Sequence, residues 1–196
     1  MTSSKENYIL NHAEFIVLGL IDEEPSYAYK INEKIKERGM REWTSIGRSS
    51  IYRVIKDLED YGYANRWIEE VDNRVQKVYE ITEKGHQILK KQVYNTIREY
   101  YGRNDEEFYV AFSMLPILNK KQQIQSISLS IDKINNHISD LKKMLKENSK
   151  MPINVRGLFI HPIKVLQADL DFLGWALKEV KEGRGQVSLE DYMKIK

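Results

Sequence analysis

Apolar residues recur along this chain with distinct local periods, and each period predicts an element. In NHAEFIVLGLIDE, Phe15, Leu18 and Ile21 or Val17 share one face of a short helix, which Glu24-Pro25-Ser26 breaks. In YAYKINEKIKERG, Tyr27, Ile31 and Ile35 recur every fourth residue, and Gly39 is the C-terminal stop of a second helix. The stretch from Trp43 to Gly62, WTSIGRSSIYRVIKDLEDYG, opens on small and hydroxylated residues and closes on glycine. It predicts a third helix with Gly47 or Ser49 as cap and with Ile51, Val54, Ile55 and Leu58 in one inward sector.

After Gly62 the period changes. YANRWIEE and VQKVYEIT are short, rich in β-branched and aromatic residues, and flank the polar VDNR, which predicts a two-stranded hairpin. Thr82 is an N-cap for a long helix, TEKGHQILKKQVYNTIREYYGR, ending near Gly102. Helix, helix, helix, hairpin, helix is the order of a winged helix-turn-helix domain.

The remainder reads as helix. NDEEFYVAFSMLPIL is short and amphipathic, with Asn104 or Asp105 as cap and Pro116 near its end. Ile124, Ile127, Ile131, Ile134, Ile138, Leu141 and Leu145 then alternate by three and four residues, the a/d signature of a coiled-coil seam. Beyond Pro152 a second such row follows: Phe159, Ile163, Leu166, Leu170, Leu173, Leu177 and Val180. Pro162 falls inside it, so that helix starts there or is kinked there. The two rows either seal an antiparallel hairpin or serve a second subunit. The second option is favoured, because a helical tail of this shape has little other core to bury against. The expected fold class is mainly α with a small β-hairpin wing. Residues 1–103 form the winged helix-turn-helix domain with its linking helix, and 104–196 a coiled-coil-like dimerisation domain.

Composition narrows the function classes. The chain has 196 residues, 41% of them hydrophobic and 31% charged, a formal net charge of +2 and no cysteine. Disulfides, thiolate metal sites and thiol nucleophiles are excluded. No apolar run reaches the ~18 residues that span a bilayer, and the N-terminal stretch lacks the pattern of a signal peptide, so a cytoplasmic location and no membrane partner are expected. His12, His86, His137 and His161 are far apart and lack carboxylates at ligand spacing, and no phosphate loop, nucleophile elbow or acid–base signature occurs. No metal, cofactor or enzymatic activity is expected. Charge is distributed unevenly: from Arg38 to Lys56 the basic Arg38, Arg41, Arg48, Arg53 and Lys56 are opposed only by Glu42.

LGLIDEEPSYAYKI, SSIYRVIKDLEDYGYA and VYEITEKG, in this order and spacing, resemble the PadR family of bacterial transcriptional regulators. The resemblance runs from about His12 to Leu89, and the helical remainder is similar to the longer members of the family. Ala28 and Ser49 stand where the family often has glycine. The resemblance implies a winged helix-turn-helix followed by a helical dimerisation region, and effectors that include phenolic or other planar hydrophobic molecules.

The third helix has the residue types that double-stranded DNA requires. Ser49, Arg53 and Lys56 lie opposite its apolar row, with Tyr52 at the border. Arg53 is the candidate base reader, since a guanidinium bonds guanine O6 and N7 together. Ser49, Ser50, Tyr52 and Lys56 suit phosphates, as does Arg48 in the entry turn. Arg74 and Lys77, at and beside the hairpin turn, are in a position to reach backbone or minor groove, or simply to solvate the wing. Tyr27, Tyr29 and Lys30 are weaker candidates. Trp175, Phe108, Phe112 and Phe172 are candidates to border an effector pocket, although aromatics at helical spacing are more often core. The expected function is a homodimeric regulator, most simply a repressor, on a pseudo-palindromic operator. The rival is a helical protein–protein module whose winged helix does not bind DNA.

Overall fold

The computed structural model describes residues 8–47, 50–71, 74–102, 105–148, 150–188 and 192, without the side chains of Ser50, Val71 and Arg74. The chain divides into two compact units, Met1–Gln92 and Val93–Lys196.

The first unit begins with α1 (His12–Glu23), β1 (Ser26–Tyr27) and α2 (Ala28–Glu37). Asn11 caps α1 by accepting from the Glu14 N–H at 3.0 Å, while the Glu14 carboxylate accepts from the Asn11 N–H at 2.8 Å. α1 is not one-sided as its pattern suggested. Every residue from Glu14 to Ile21 is buried, because α4 and β3 both pack on it. Burial of Glu14 is tolerated because its carboxylate also accepts from the Tyr8 hydroxyl at 2.8 Å. In α2, Ile31 and Ile35 are fully buried, and Tyr27 is half-buried at the N-cap. Gly39 then turns the chain into α3 (Met40–Trp43), four residues too short to show a period.

α4 (Ser50–Asp60) buries Ile51, Val54, Ile55 and Leu58, the whole of its expected inward row. Its end is a Schellman motif: the Tyr63 N–H donates to Leu58 O and the Gly62 N–H to Glu59 O, both at 2.8 Å. Gly62 takes a φ of 72°, which a residue with a Cβ adopts only under strain.

β2 (Ala64–Val71) and β3 (Arg74–Ile81) pair antiparallel from Ala64↔Ile81 to Val71↔Arg74. The expected hairpin gains a third member: β1 pairs Ser26↔Tyr79 and Tyr27↔Val78, giving the order β1-β3-β2. Two residues carry no readable alternation, so this strand is a product of tertiary packing.

Thr82 caps α5 (Glu83–Glu99), accepting from the Gly85 N–H at 3.0 Å. Its hydroxyl also donates to Gly62 O at 2.8 Å, and its N–H to Tyr63 O at 3.0 Å. A Cβ on Gly85 would lie 2.1 Å from Tyr63 O, so only glycine lets the first turn of α5 seat here. α5 crosses the boundary between the units, burying Leu89 on one side of it and Val93 and Ile97 on the other.

The second unit continues with α6 (Glu106–Ser113), whose N-cap Asp105 accepts from the Glu107 N–H at 3.0 Å. A 3₁₀ turn (Leu115–Ile117) follows, then α7 (Lys120–Glu147), α8 (Ile153–Lys181) and a second 3₁₀ turn (Arg184–Gln186). α7 and α8 pack along each other, with Ile127, Ile134 and Ile138 buried on one and Leu166, Leu173 and Val180 on the other. Ile124, Ile131, Leu141, Leu145, Leu170 and Leu177 are half-buried. The two heptad rows therefore meet within one chain. Three polar residues join the buried face of α7: Gln123, Ser126 and Ser130. Each is bonded to backbone carbonyls, Ser130 donating to Tyr100 O at 2.7 Å. α8 starts well before Pro162 and runs through it.

Candidate nucleic-acid interface

α4 has a back and a front. Its back is the fully packed Ile51, Val54, Ile55 and Leu58; its front exposes Tyr52, Arg53 and Lys56, with Tyr52 at 67%. The Schellman end and the α1 contact fix the helix, so the front residues project from a rigid base.

The cations of this unit divide into engaged and unengaged. Lys30 and Lys34 approach Glu24 at 3.0 and 2.8 Å, Arg38 grips Glu23 at 2.7 Å, and Arg66 meets Glu59 at 3.0 Å. Arg41 donates to Asn32 at 2.5 Å, and Lys84 to Tyr61 O at 2.6 Å. Lys34 and Lys30 together hold the Glu24 carboxyl below its usual range, the Lys34 hydrogen bond being the larger cause. Arg53 and Lys56, by contrast, have no hydrogen-bond or ion-pair partner among the described residues. Lys36, Lys77, Lys90 and Lys91 likewise have none, so what sets Arg53 and Lys56 apart is their shared place on the front of a helix whose back is packed.

The remaining expected contact residues are distributed as follows. Arg48 and Ser49 lie outside the described residues; Ser50 begins α4 and Arg74 begins β3, their side chains undescribed. Lys77 is exposed on β3 opposite Ile68. Tyr29 is 56% exposed at the start of α2, while Lys30 is tied to Glu24. Two wing residues were not anticipated: Ile68, 70% exposed, and Val75, 75% exposed. The strand register puts them on the same face as Lys77. Strand alternation alone identifies that face, but not that it is left uncovered.

In the second unit the four aromatics form one cluster. Phe108 stacks on Tyr100 with centroids 3.8 Å apart and touches Phe112 and Phe172 at 5.8 and 6.2 Å; Phe172 meets Trp175 at 5.7 Å. Phe108 is buried core, Phe112 and Phe172 are half-buried, and Trp175 is 54% exposed. Tyr100 donates to Asp169 at 3.0 Å, and burial first, then this carboxylate, pushes its phenol above the usual range.

α8 also carries a row that the sequence reading passed over. Leu158, His161, Val165, Ala168, Phe172 and Trp175 alternate by three and four residues beside the inner row. All but the half-buried Phe172 are exposed, with Leu158 at 72% and Val165 at 39%. Among the described residues no cluster of His, Cys, Asp or Glu fits a metal ion, and no helix is long and apolar enough to cross a membrane.

Residues 17–91 match the family described as transcriptional regulator PadR-like. That segment is PadR-like. The matched PadR-like segment contains α4, the wing and the first half of α5, the elements just described. No curated protein matches the chain. Among solved structures, smu.1704 from Streptococcus mutans UA159 is 30% identical, over 42% of this chain and 74% of its own, with a TM-score of 0.35. Bacillus subtilis PadR in complex with operator DNA is 19% identical, over 87% of this chain and 99% of its own, with a TM-score of 0.41. The PadR-like regulator BC1756 from Bacillus cereus is 18% identical, over 87% and 98%, with a TM-score of 0.36.

Proposed function

We propose that the chain is a sequence-specific DNA-binding transcriptional regulator that reads a pseudo-palindromic operator as a homodimer and acts as a repressor. The observation that carries this is the front of α4, where Arg53 and Lys56 stand unpaired on a helix whose back is locked into the core. Arg53 reads bases, Tyr52 and Lys56 hold phosphates, and the wing follows the adjacent backbone through Lys77. Arg48, Ser49, Ser50 and Arg74, next to α4 and the wing in sequence, are proposed as further DNA contacts.

Homodimerisation is supported by the outer row of α8. The inner rows are used within the chain, so the exposed Leu158, Val165 and Trp175 remain to be covered. A three-four spacing matches another helix, and each apolar side chain fully buried contributes roughly 1.5–3 kcal/mol before entropy. A twofold dimer presents two α4 helices to half-sites about 34 Å apart or a multiple of that. A signal reaching the helical unit changes DNA affinity through α5, whose first turn is bonded to the backbone that follows α4.

Titrating a fluorescent fragment of the protein's own promoter at stepped salt concentrations tests the reading. Affinity should fall linearly in log–log form, by about 0.9 units of slope per phosphate contacted. Salt-insensitive or absent binding would favour the protein–protein module instead.

A further inference from the structure

The end of α7, the turn after it and the first turns of α8 concentrate positive charge. From Lys142 to Lys164 there are six lysines and arginines, opposed only by Glu147. That stretch carries a formal +5 in a chain of net +2, so the rest of the molecule is net acidic. All six cations are exposed, and none has a hydrogen-bond or ion-pair partner among the described residues. Exposed apolar side chains lie among them: Met144, Ile153, Leu158 and Ile160. Solvation alone calls for the charges and not for these.

Part of this surface is hollowed. An open groove of about 510 Å³ runs along one flank of α8, from Met151 and Ile153 to His161 and Lys164, with Arg156 in its lining. Ile153 and Lys164 are eleven residues apart, about 16 Å along the helix, the length of an extended chain of about a dozen carbons. The groove is not the outer row. At about 100° per residue, Ile153, Gly157, Ile160 and Lys164 centre about 80° around the helix from that row, and His161 stands on the border. The two are different surfaces of α8.

Gly157, in the floor of the groove, has no reason in the protein's own packing. It lies in the second turn of α8 without a positive φ, and a Cβ there would meet no neighbouring atom within 4 Å. Glycine weakens a helix relative to alanine, because it loses more backbone freedom on folding. What it provides here is a low floor, where a bound chain can lie against the backbone.

We propose that the groove binds a long-chain fatty acid anion, with its alkyl chain over Gly157 between Ile153 and Ile160 and its carboxylate toward Lys164. Arg156 and Lys164 select the sign of the head group, and the apolar walls require a chain. A flat bilayer surface would use the charge and the exposed side chains but not the glycine floor, so the groove favours a single chain. The binding does not rest on the regulator reading.

The test is calorimetric titration of the full chain with dodecanoate below its micellar concentration, beside acetate, dodecyltrimethylammonium and phosphatidylglycerol vesicles. The expected result is one dodecanoate per chain with Kd on the order of 10 μM, no saturation by acetate, and at least tenfold weaker binding of the cation. Gly157→Leu fills the floor while raising helix propensity, so it should weaken dodecanoate at least tenfold without lowering the melting temperature. Arg156→Gln combined with Lys164→Gln, both at exposed positions, should also weaken it at least tenfold in a protein that melts like the parent. Absence of saturable binding, several dodecanoates per chain, or equal binding of the cation would overturn the proposal. So would full affinity in a folded Gly157→Leu protein, or capture by the vesicles with no binding of the free anion.

Discussion

The front of α4 and the outer row of α8 are both solvent-facing sides of helices whose backs are packed, yet their chemistry is opposite. α4 exposes Tyr52, Arg53 and Lys56; α8 exposes Leu158, Val165 and Trp175. An exposed apolar row is not what solvation alone favours, and on α4 the two cations occupy the first two turns, ahead of Asp57 and Asp60. Unpaired cations on a rigid helix suit a polyanion, and an apolar row at heptad spacing suits another helix. The contrast teaches that the uncovered face of an amphipathic helix reports its partner more directly than the buried face does.

The largest effect expected from breaking this contrast is Val165→Glu, which puts a charge in the middle of the outer row. Sedimentation should show the dimer weakened about 100-fold or more, and operator affinity should fall with it, while melting of the chain changes little. A Val165→Glu protein that remains dimeric at micromolar concentration would remove the outer row from the interface. Arg53→Ala comes next, with about 1–3 kcal/mol lost on the operator and preference relaxed at the base it reads. Equal operator affinity of this variant and the parent would exclude Arg53 as a reader. Lys56→Ala should weaken all sequences alike and shallow the salt slope by about one unit per phosphate contact removed.

The smallest effect concerns an engaged cation. Lys34 and Lys30 depress the pKa of Glu24, so this carboxylate stabilises the fold above its ordinary titration range, and the contribution is lost as pH falls through the depressed value. With a third of the Glu24 side chain exposed, screening reduces it to about 0.5 kcal/mol. Glu24→Gln should therefore melt slightly lower than the parent at pH 7 and level with it near pH 3. A difference that persists in acid would assign the effect to something other than charge.

Much of the first unit was legible because its helices are amphipathic in the ordinary way. The inward row of α4, the Gly62 stop and the Thr82 cap are local signals, and the structure reproduces each. Two features failed for lack of length: β1 and α3 are too short to carry a period. α1 was misjudged as one-sided because burial on its second face comes from β3, distant in sequence.

In the second unit the heptad rows were readable, but not their partners. The outer row of α8 lies beside a stronger Leu/Ile row, and its Ala168 and His161 dilute the signal. Gln123, Ser126 and Ser130 carry no sequence signal of burial, because the carbonyls that satisfy Gln123 and Ser130 include ones from separate segments. Of the four aromatics offered for a pocket, Trp175 and Phe112 line a cavity of the helical unit, whereas Phe108 and Phe172 pack beside it.

The seating of Gly85 against Tyr63 O makes α5 a lever with one clamped end. Its 17 residues span about 25 Å, so a tilt of about 10° moves the far end by about 4 Å relative to the clamp. That displacement is close to the ~3.4 Å rise between neighbouring base pairs. A single glycine contact thus converts a small angular change at the start of α5 into a displacement of base-pair size at its end.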